Sequence, residues 1–135
     1  MFRTEITVST SGRGFYSLDE ALNAAISQSG ISEGLCHVFL RHTSASLVVT
    51  ENADPDVRLD LAHFMSRLVP DGERHYRHHM EGPDDMPAHI RSVLTQAETT
   101  VPVQSGVLGL GTWQSVFLWE HRLHSHQRRL LVTVF

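Results

Sequence analysis

The chain has 135 residues, a mass of 15.2 kDa and a formal net charge of −4. This length predicts a single domain over residues 1–135, which on folding buries about 68% of the surface that the unfolded chain exposes. The mildly acidic charge argues against a nucleic-acid-binding protein. All 11 basic residues are arginines, which excludes lysine Schiff bases and P-loop lysines.

Cysteine content and hydropathy indicate the compartment. Cys36 is the only cysteine, so an intramolecular disulfide is excluded and a reducing environment is expected. The first residues contain no long apolar run of the kind found in signal peptides. No later segment approaches the ~20 apolar residues of a membrane-spanning helix. We therefore expect a cytoplasmic protein that does not bind a membrane.

The N-terminal part of the chain predicts a strand followed by a helix. Apolar and polar residues alternate over residues 2–10, as in a half-buried strand. Ser17 and Glu20 have the spacing of a capping box and predict a helix start. Gly30 is expected to end this helix. Its apolar stripe consists of Leu18, Leu22, Ala25 and Ile26.

The central part of the chain predicts two strands and a second helix. Residues 35–42 and 45–52 are rich in apolar and β-branched residues, and 43–44 form either a tight turn or part of one bent strand. Asp54 is a suitable N-cap, and Pro55 suits the first helical position. The predicted buried face of this helix consists of Val57, Leu61, Phe64, Met65 and Leu68. The polar connection 70–83 follows, and its length favours a functional loop.

The last part of the chain predicts a short helix and four strands. The helix covers residues 85–96, with Ile90, Val93 and Leu94 on its buried face. The strands cover residues 98–103, 106–110, 113–121 and 128–135. Together these elements predict an α+β fold with a sandwich-like core of antiparallel β-sheet and helices packed on one side.

Three histidines lie at the ends of apolar segments. His42 and His121 each end an apolar row of a predicted strand, and His89 lies four residues after Asp85 on the predicted helix. If the three histidines converge, they form a site for a divalent metal such as Zn or Mg, with Asp85 as a ligand or an orienting partner. The alternatives are core histidines bonded to backbone carbonyls, with Asp85 as a helix-start carboxylate.

A polar cluster surrounds the start of the second helix. Arg58 lies on its first turns, where backbone amides also favour anions, so a phosphate site is one interpretation. Capping interactions and surface ion pairs are the other. The histidine-rich segments 75–79 and 121–129 are weaker signals, because composition alone does not identify a ligand. We assign neither segment to a metal site on this basis.

Five stretches of the sequence carry a resemblance to one protein family. They read RGF (13–15), HTSASLVVTENADPDVRLDL (42–61), EGPDDMPAHIRS (81–92), GTWQSVFLWEHR (111–122) and RRLLVTV (128–134). In these stretches the chain resembles the YjbQ family, also called the secondary thiamine-phosphate synthase family. The resemblance implies a compact α+β fold, assembly as a homotrimer, and a weak ability to make thiamine phosphate from two phosphorylated precursors with release of pyrophosphate.

The resemblance also implies roles for polar residues in the matching blocks. The candidate catalytic residues are Asp85, Glu81, Glu120 and Asn52. The candidate residues for binding a phosphorylated substrate are Arg58, Arg122, Ser44 and Gln114. The candidate metal ligands are His42, His89 and His121. A metal and arginines would neutralise the charge of a departing pyrophosphate. The alternatives are a metal-dependent hydrolase of a small phosphate or carboxylate compound and a non-catalytic trimeric ligand-binding protein.

Overall fold

The computed structural model describes residues 1–135, which form three helices and eight strands. The helices are α1 (Asp19–Ser29), α2 (Pro55–Leu68) and α3 (Asp85–Leu94). The strands are β1 (Phe2–Ser11), β2 (Gly14–Ser17), β3 (Gly34–Leu40), β4 (Ala45–Glu51), β5 (Glu98–Gln104), β6 (Val107–Leu108), β7 (Gln114–Glu120) and β8 (Ser125–Val134).

The strands form two antiparallel sheets. The larger sheet has five strands in the order β1-β8-β3-β5-β6, and the smaller has three in the order β2-β7-β4. The longest pairing joins the two ends of the chain, since β1 and β8 run in register from Phe2 opposite Val134 to Ser11 opposite Ser125. The predicted α+β fold built on antiparallel sheet is confirmed.

One hydrophobic core joins the two sheets through α1. It contains 17 buried residues, among them all four residues of the predicted stripe of α1. Gly30 ends α1 as expected, in a left-handed conformation with φ of 71°. The predicted capping box is not formed: Leu18 is the N-cap, and the Ser17 hydroxyl only accepts a 3.5 Å bond from the Asp19 amide.

The two central strands belong to different sheets. β3 pairs with β5 and β8 in the larger sheet, whereas β4 pairs with β7 in the smaller one. Residues 41–44 are therefore neither a hairpin turn nor part of one strand, but the crossing between two sheets. This crossing brings the backbone of Thr43 against α3, where its carbonyl oxygen contacts His89.

The two later helices bury less of their apolar surface than their periodicity predicts. In α2 only Met65 is buried, while Phe64 and Leu68 are each 55% exposed. In α3, Val93 and Leu94 are exposed, and the buried residues are Asp85, Pro87, Ala88 and Arg91. The predicted buried faces are confirmed only in part, for Met65 and for the partly buried Leu61 and Ile90. Periodicity indicates which residues share a face but not how much of that face a second layer covers. None of the helices has the length and apolar content needed to cross a membrane.

Candidate metal centre

Asp85 and His89 are positioned by the first turns of α3. They lie four residues apart and therefore share one helix face. Asp85 is only 1% exposed although it is ionisable, and His89 is half-buried. A carboxylate at the first position of a helix also interacts favourably with the helix dipole. The predicted inward orientation of this pair is thus present in the fold.

His78 completes a group of three potential metal ligands, which we call the histidine–aspartate group (His78, Asp85 and His89). His78 comes from the connection between α2 and α3, and its side chain is half-exposed. Its Nε2 lies 2.5 Å from Asp85 Oδ2, and His89 Nε2 lies 3.1 Å from the same oxygen. One ligand atom from each residue falls within 4.8 Å of the others. Two imidazoles and a carboxylate are a ligand set typical of zinc.

Arg122 holds the other oxygen of Asp85. Its Nη1 lies 2.7 Å from Asp85 Oδ1, and its Nε donates to Asp84 Oδ2 at 2.9 Å. Its Nη2 donates to the backbone carbonyl of Glu81. Burial alone would raise the pKa of Asp85, but bonds to His78 and Glu81 and the charge of Arg122 lower it below the usual value. Asp85 therefore presents Oδ2 as an ionised, oriented ligand.

The backbone of Thr43 determines which nitrogen of His89 carries hydrogen. His89 Nδ1 lies 2.9 Å from the Thr43 carbonyl oxygen, which can only accept a hydrogen bond. Nδ1 must therefore be the N–H nitrogen. In the neutral ring, Nε2 then carries a lone pair and faces Asp85 Oδ2, which is also an acceptor. Two facing acceptors require a cation between them, either a metal ion or a second proton on the ring.

A cavity of about 300 Å³ adjoins the histidine–aspartate group. It lies between the connecting segment and the start of α3 and shares His78 with the group. The lining residues are Gly72, Glu73, Tyr76, His78, His79, Gly82, Pro83 and Met86. Its volume is at the lower end of the range for small-molecule sites. Glu81 lies at the edge of the group, with Oε2 3.8 Å from His78 Nε2.

The structure does not bring His42 and His121 into the group that contains His89. The Nε2 lone pair of His42 accepts a 2.8 Å hydrogen bond from the Arg129 amide, so it is not free for a metal. His121 is fully buried, and its Nε2 lies 2.8 Å from the Ser46 hydroxyl. Burial, with a smaller contribution from the charge of Arg91, lowers the pKa of His121 to about 3. The predicted set of three histidines does not converge in this chain.

Glu120 and Ser44 belong to a buried ion-pair network. Glu120 is fully buried and receives hydrogen bonds from Thr10 and Arg128 and from two backbone amides. Arg128 also donates to the Ser44 hydroxyl at 3.0 Å. Burial alone would raise the pKa of Glu120, but the bonds from Arg128 and Thr10 lower it. Because substrate cannot reach Glu120 or Ser44 in this arrangement, neither side chain is placed for direct catalysis or phosphate binding.

The remaining predicted residues cluster around the start of α2. Arg58 Nη1 donates to the Glu51 carbonyl, and its guanidinium lies 5.3 Å from the Phe117 ring centroid. The Glu51 carboxylate already accepts the amides of Ala53 and Asp54, which an anion would need. Asn52 donates to two backbone carbonyls, and Gln114 accepts from the Gly111 amide. The interactions in this region are therefore those of helix capping and not of an anion site. None of these side chains contacts the histidine–aspartate group.

His78, Thr43 and Arg128 are the residues that sequence reasoning missed. The sequence signal for His78 was the histidine-rich segment 75–79, in which His78 lies seven residues before Asp85. A loop without regular spacing gives no direction to a side chain, so the sequence did not distinguish His78 from its neighbours. Thr43 acts through its backbone carbonyl, which every residue type possesses.

Comparison with known proteins identifies the family. The family model described as UPF0047 protein YjbQ-like matches residues 4–135. The UPF0047 protein sll1880 of Synechocystis is 54% identical over 129 residues, covering 96% of this chain and 88% of the relative. The UPF0047 protein YjbQ of Escherichia coli O157:H7 is 42% identical over 134 residues, covering 98% and 96%.

Solved structures agree with this comparison. A crystal structure of a YjbQ/UPF0047 family protein from Clostridium acetobutylicum has a TM-score of 0.89 at 31% identity and covers 98% of this chain and 99% of that one. The conserved hypothetical protein TT1486 of Thermus thermophilus has a TM-score of 0.88 at 34% identity, with the same coverage of both chains. The chain belongs to the YjbQ/UPF0047 family.

Proposed function

We propose that this chain is an enzyme that uses a divalent metal, held by His78, Asp85 and His89, to act on a small phosphorylated compound. The observation that carries the proposal is the convergence of His78, Asp85 and His89, whose ligand atoms all lie within 4.8 Å of one another. The carbonyl that holds His89 Nδ1 is the kind of partner that metal-binding histidines generally have. Between the two metals expected from the sequence, two imidazoles favour zinc over magnesium.

The surroundings of the group support catalysis rather than a purely structural metal. Three protein ligands leave at least one coordination position for water or substrate, as in catalytic zinc sites. The adjoining cavity provides room for a small molecule. Arg74 and Arg77 are exposed in the same connecting segment and supply positive charge for an anionic substrate. When bound, the metal would neutralise negative charge on a phosphate or pyrophosphate leaving group.

Two reactions fit this arrangement. The resemblance implies a pyrophosphate-releasing transfer that forms thiamine phosphate, in which the metal offsets the charge of the leaving group. Hydrolysis of a phosphate compound is favoured by Glu81, whose exposed carboxylate lies 3.8 Å from His78 Nε2 and can accept a proton from an attacking water. Assays of one metal-loaded preparation with the two thiamine precursors and with generic phosphate esters separate these reactions.

The first experiment is elemental analysis of protein purified without a histidine tag or a chelator. We expect one equivalent of a divalent metal in the wild type and a loss of that metal in His78→Ala and His89→Ala. His75→Ala is the matched control, because His75 is an exposed histidine of the same segment that lies outside the group. A wild-type protein that holds no metal after incubation with zinc contradicts the proposal. Metal and ligand binding without turnover in any assay indicates a binding protein instead.

We further propose that the chain assembles as a homotrimer. Exposed apolar side chains on two helices support self-association, because a monomer would leave them in water. They are Leu59, Phe64 and Leu68 on α2 and Val93 and Leu94 on α3. Sedimentation at decreasing protein concentration tests the assembly, and a monomer at micromolar concentration contradicts it. Activity measured over the same dilution series tests whether the site requires the assembly.

A further inference from the structure

One side-chain oxygen of Glu120 helps to fix Arg122, the residue that holds Asp85. Its Oε2 accepts the backbone amides of His121 at 3.0 Å and Arg122 at 3.2 Å. These two bonds hold the backbone from which the Arg122 side chain reaches Asp85 Oδ1 at 2.7 Å. Because Arg122 occupies Oδ1, Asp85 is left with Oδ2 directed at the two histidines.

Through Arg128, the Glu120 carboxylate also helps to fix the backbone segment that holds His89. Arg128 Nε donates to Glu120 Oε1 at 2.8 Å, and its Nη2 donates to Oε2. That Nη2 also donates to the carbonyl and hydroxyl oxygens of Ser44, at 3.2 and 3.0 Å. The neighbouring carbonyl, that of Thr43, accepts from His89 Nδ1. The Glu120–Arg128 pair thus holds the crossing segment that orients His89.

We propose that Glu120 is the positioning residue of the histidine–aspartate group and orients Asp85 and His89 from a distance, through Arg122 and Arg128. This inference rests on the proposed metal function. Glu120 is fully buried and contacts neither the cavity nor the three ligands, so it takes no part in bond making.

A requirement for orientation explains the pair better than a requirement for stability. Replacing a buried ion pair by apolar residues of similar size is often neutral or stabilising, because desolvation offsets the attraction. The Glu120–Arg128 pair instead contacts the two backbone segments that position Asp85 and His89. Residues that orient metal ligands in this way typically change metal affinity by about 10- to 100-fold when they are mutated.

The test is the zinc affinity of Glu120→Gln, measured by competition with a chromophoric chelator. The glutamine amide keeps the shape, but its NH2 group faces the donors of Arg128 instead of accepting from them, so the connection to Ser44 loosens. We expect the dissociation constant for zinc to increase by about 10-fold or more. Val38→Ala is the control, since Val38 is a core residue of β3 in the other sheet. It should lower Tm without a comparable loss of affinity.

Two additions make the result decisive. Glu120→Gln combined with Arg128→Met removes both charges and leaves no unpaired buried ion, so it provides a folded variant if the single change does not fold. Nitrogen-15 NMR of metal-free protein reports whether Nδ1 of His89 carries hydrogen and donates to Thr43. We expect Nδ1 to carry a hydrogen bonded to the Thr43 carbonyl in the wild type, and a mixture of bonded and unbonded rings in both variants.

The outcomes separate this inference from the proposed function. Wild-type affinity and an unchanged His89 tautomer in a folded variant overturn the positioning role while leaving the metal function intact. An affinity loss in Val38→Ala equal to that in Glu120→Gln also overturns it, because the effect is then one of general stability. A wild-type protein without zinc affinity removes the metal function, and the tautomer measurement then still decides whether Glu120 positions His89.

Discussion

The molecule contains two polar groups that are each built around a carboxylate but have opposite properties. In the buried network of Glu120, Arg128 and Ser44, the carboxylate is surrounded by donors and water is excluded. In the histidine–aspartate group, one carboxylate oxygen faces two ring nitrogens beside an accessible cavity. Residue type alone therefore does not assign a role to these side chains. The number of satisfied partners and the access to solvent distinguish a structural group from a reactive one.

The histidines that lie beside the two groups also differ in what they can do. His121 is held neutral by burial, which lowers its pKa to about 3, and it has no path to a ligand. His89 is half-buried and has one nitrogen fixed by a carbonyl and the other directed at a carboxylate. The first arrangement favours a rigid interior, and the second favours a cation.

The largest expected effect is on stability, from breaking the buried pair on one side only. Arg128→Met leaves Glu120 buried without its cation, which should lower the free energy of unfolding by about 3–5 kcal/mol. Urea denaturation measures this loss. Arg129→Met, at an exposed neighbouring position, should change stability by less than about 0.5 kcal/mol. Similar effects of the two variants would mean that Glu120 does not depend on Arg128 as a buried partner.

The next largest effect is on metal binding, from changing the open group. Asp85→Asn keeps the shape of the side chain but removes the ligand charge, so we expect zinc affinity to fall by about 100-fold or more. Isothermal titration measures the affinity. Asp60→Asn, at an exposed carboxylate of α2, is the matched control and should bind zinc like the wild type. Full zinc affinity in Asp85→Asn would return this carboxylate to a helix-start role.

A smaller effect is expected from pH, through His121. The folded protein keeps this ring neutral down to a pKa of about 3, whereas the unfolded chain takes up a proton near the ordinary value of 6.5. The unfolded state therefore binds more protons below pH 6.5, so this contribution to stability is lost as the pH falls.

For one histidine, the free energy of unfolding should fall by about 2 kcal/mol between pH 7 and pH 5. Denaturation of the wild type and of His121→Asn at both pH values isolates this contribution, because the other groups are common to both proteins. Equal pH dependence in the two proteins would show that folding does not lower the pKa of this ring.

The smallest expected effect is on amide exchange in the segment that connects α2 to α3. Between residues 73 and 82, only two weak backbone bonds form, Tyr76 to Glu73 at 3.5 Å and Gly82 to His79 at 3.3 Å. A metal bound to His78 ties this segment to α3, so zinc should slow amide exchange there by about 3- to 10-fold. Hydrogen-exchange mass spectrometry measures the change, with α1 as the internal control. His78→Ala should lose the protection, and protection that persists in it would exclude His78 as a ligand.

Local patterns predicted the elements of the fold well. The alternation over residues 2–10, the stripe of α1 and the start of α2 at Asp54 and Pro55 are all present in the structure. Each of these depends on neighbours within one or two turns of chain. The burial of α2 and the assignment of β3 and β4 to separate sheets were not predictable, because both depend on contacts between distant segments.

The amino-acid sequence by itself determined the family, the antiparallel α+β class and the shared helix face of Asp85 and His89, since these follow from motifs and from helical spacing. Only the tertiary structure decided which histidine joins that pair. Packing directs His78 toward Asp85, engages His42 with a backbone amide and seals His121 in the interior. The physical reason is that ligand geometry and burial arise from long-range packing, whereas sequence spacing constrains only residues close together along the chain.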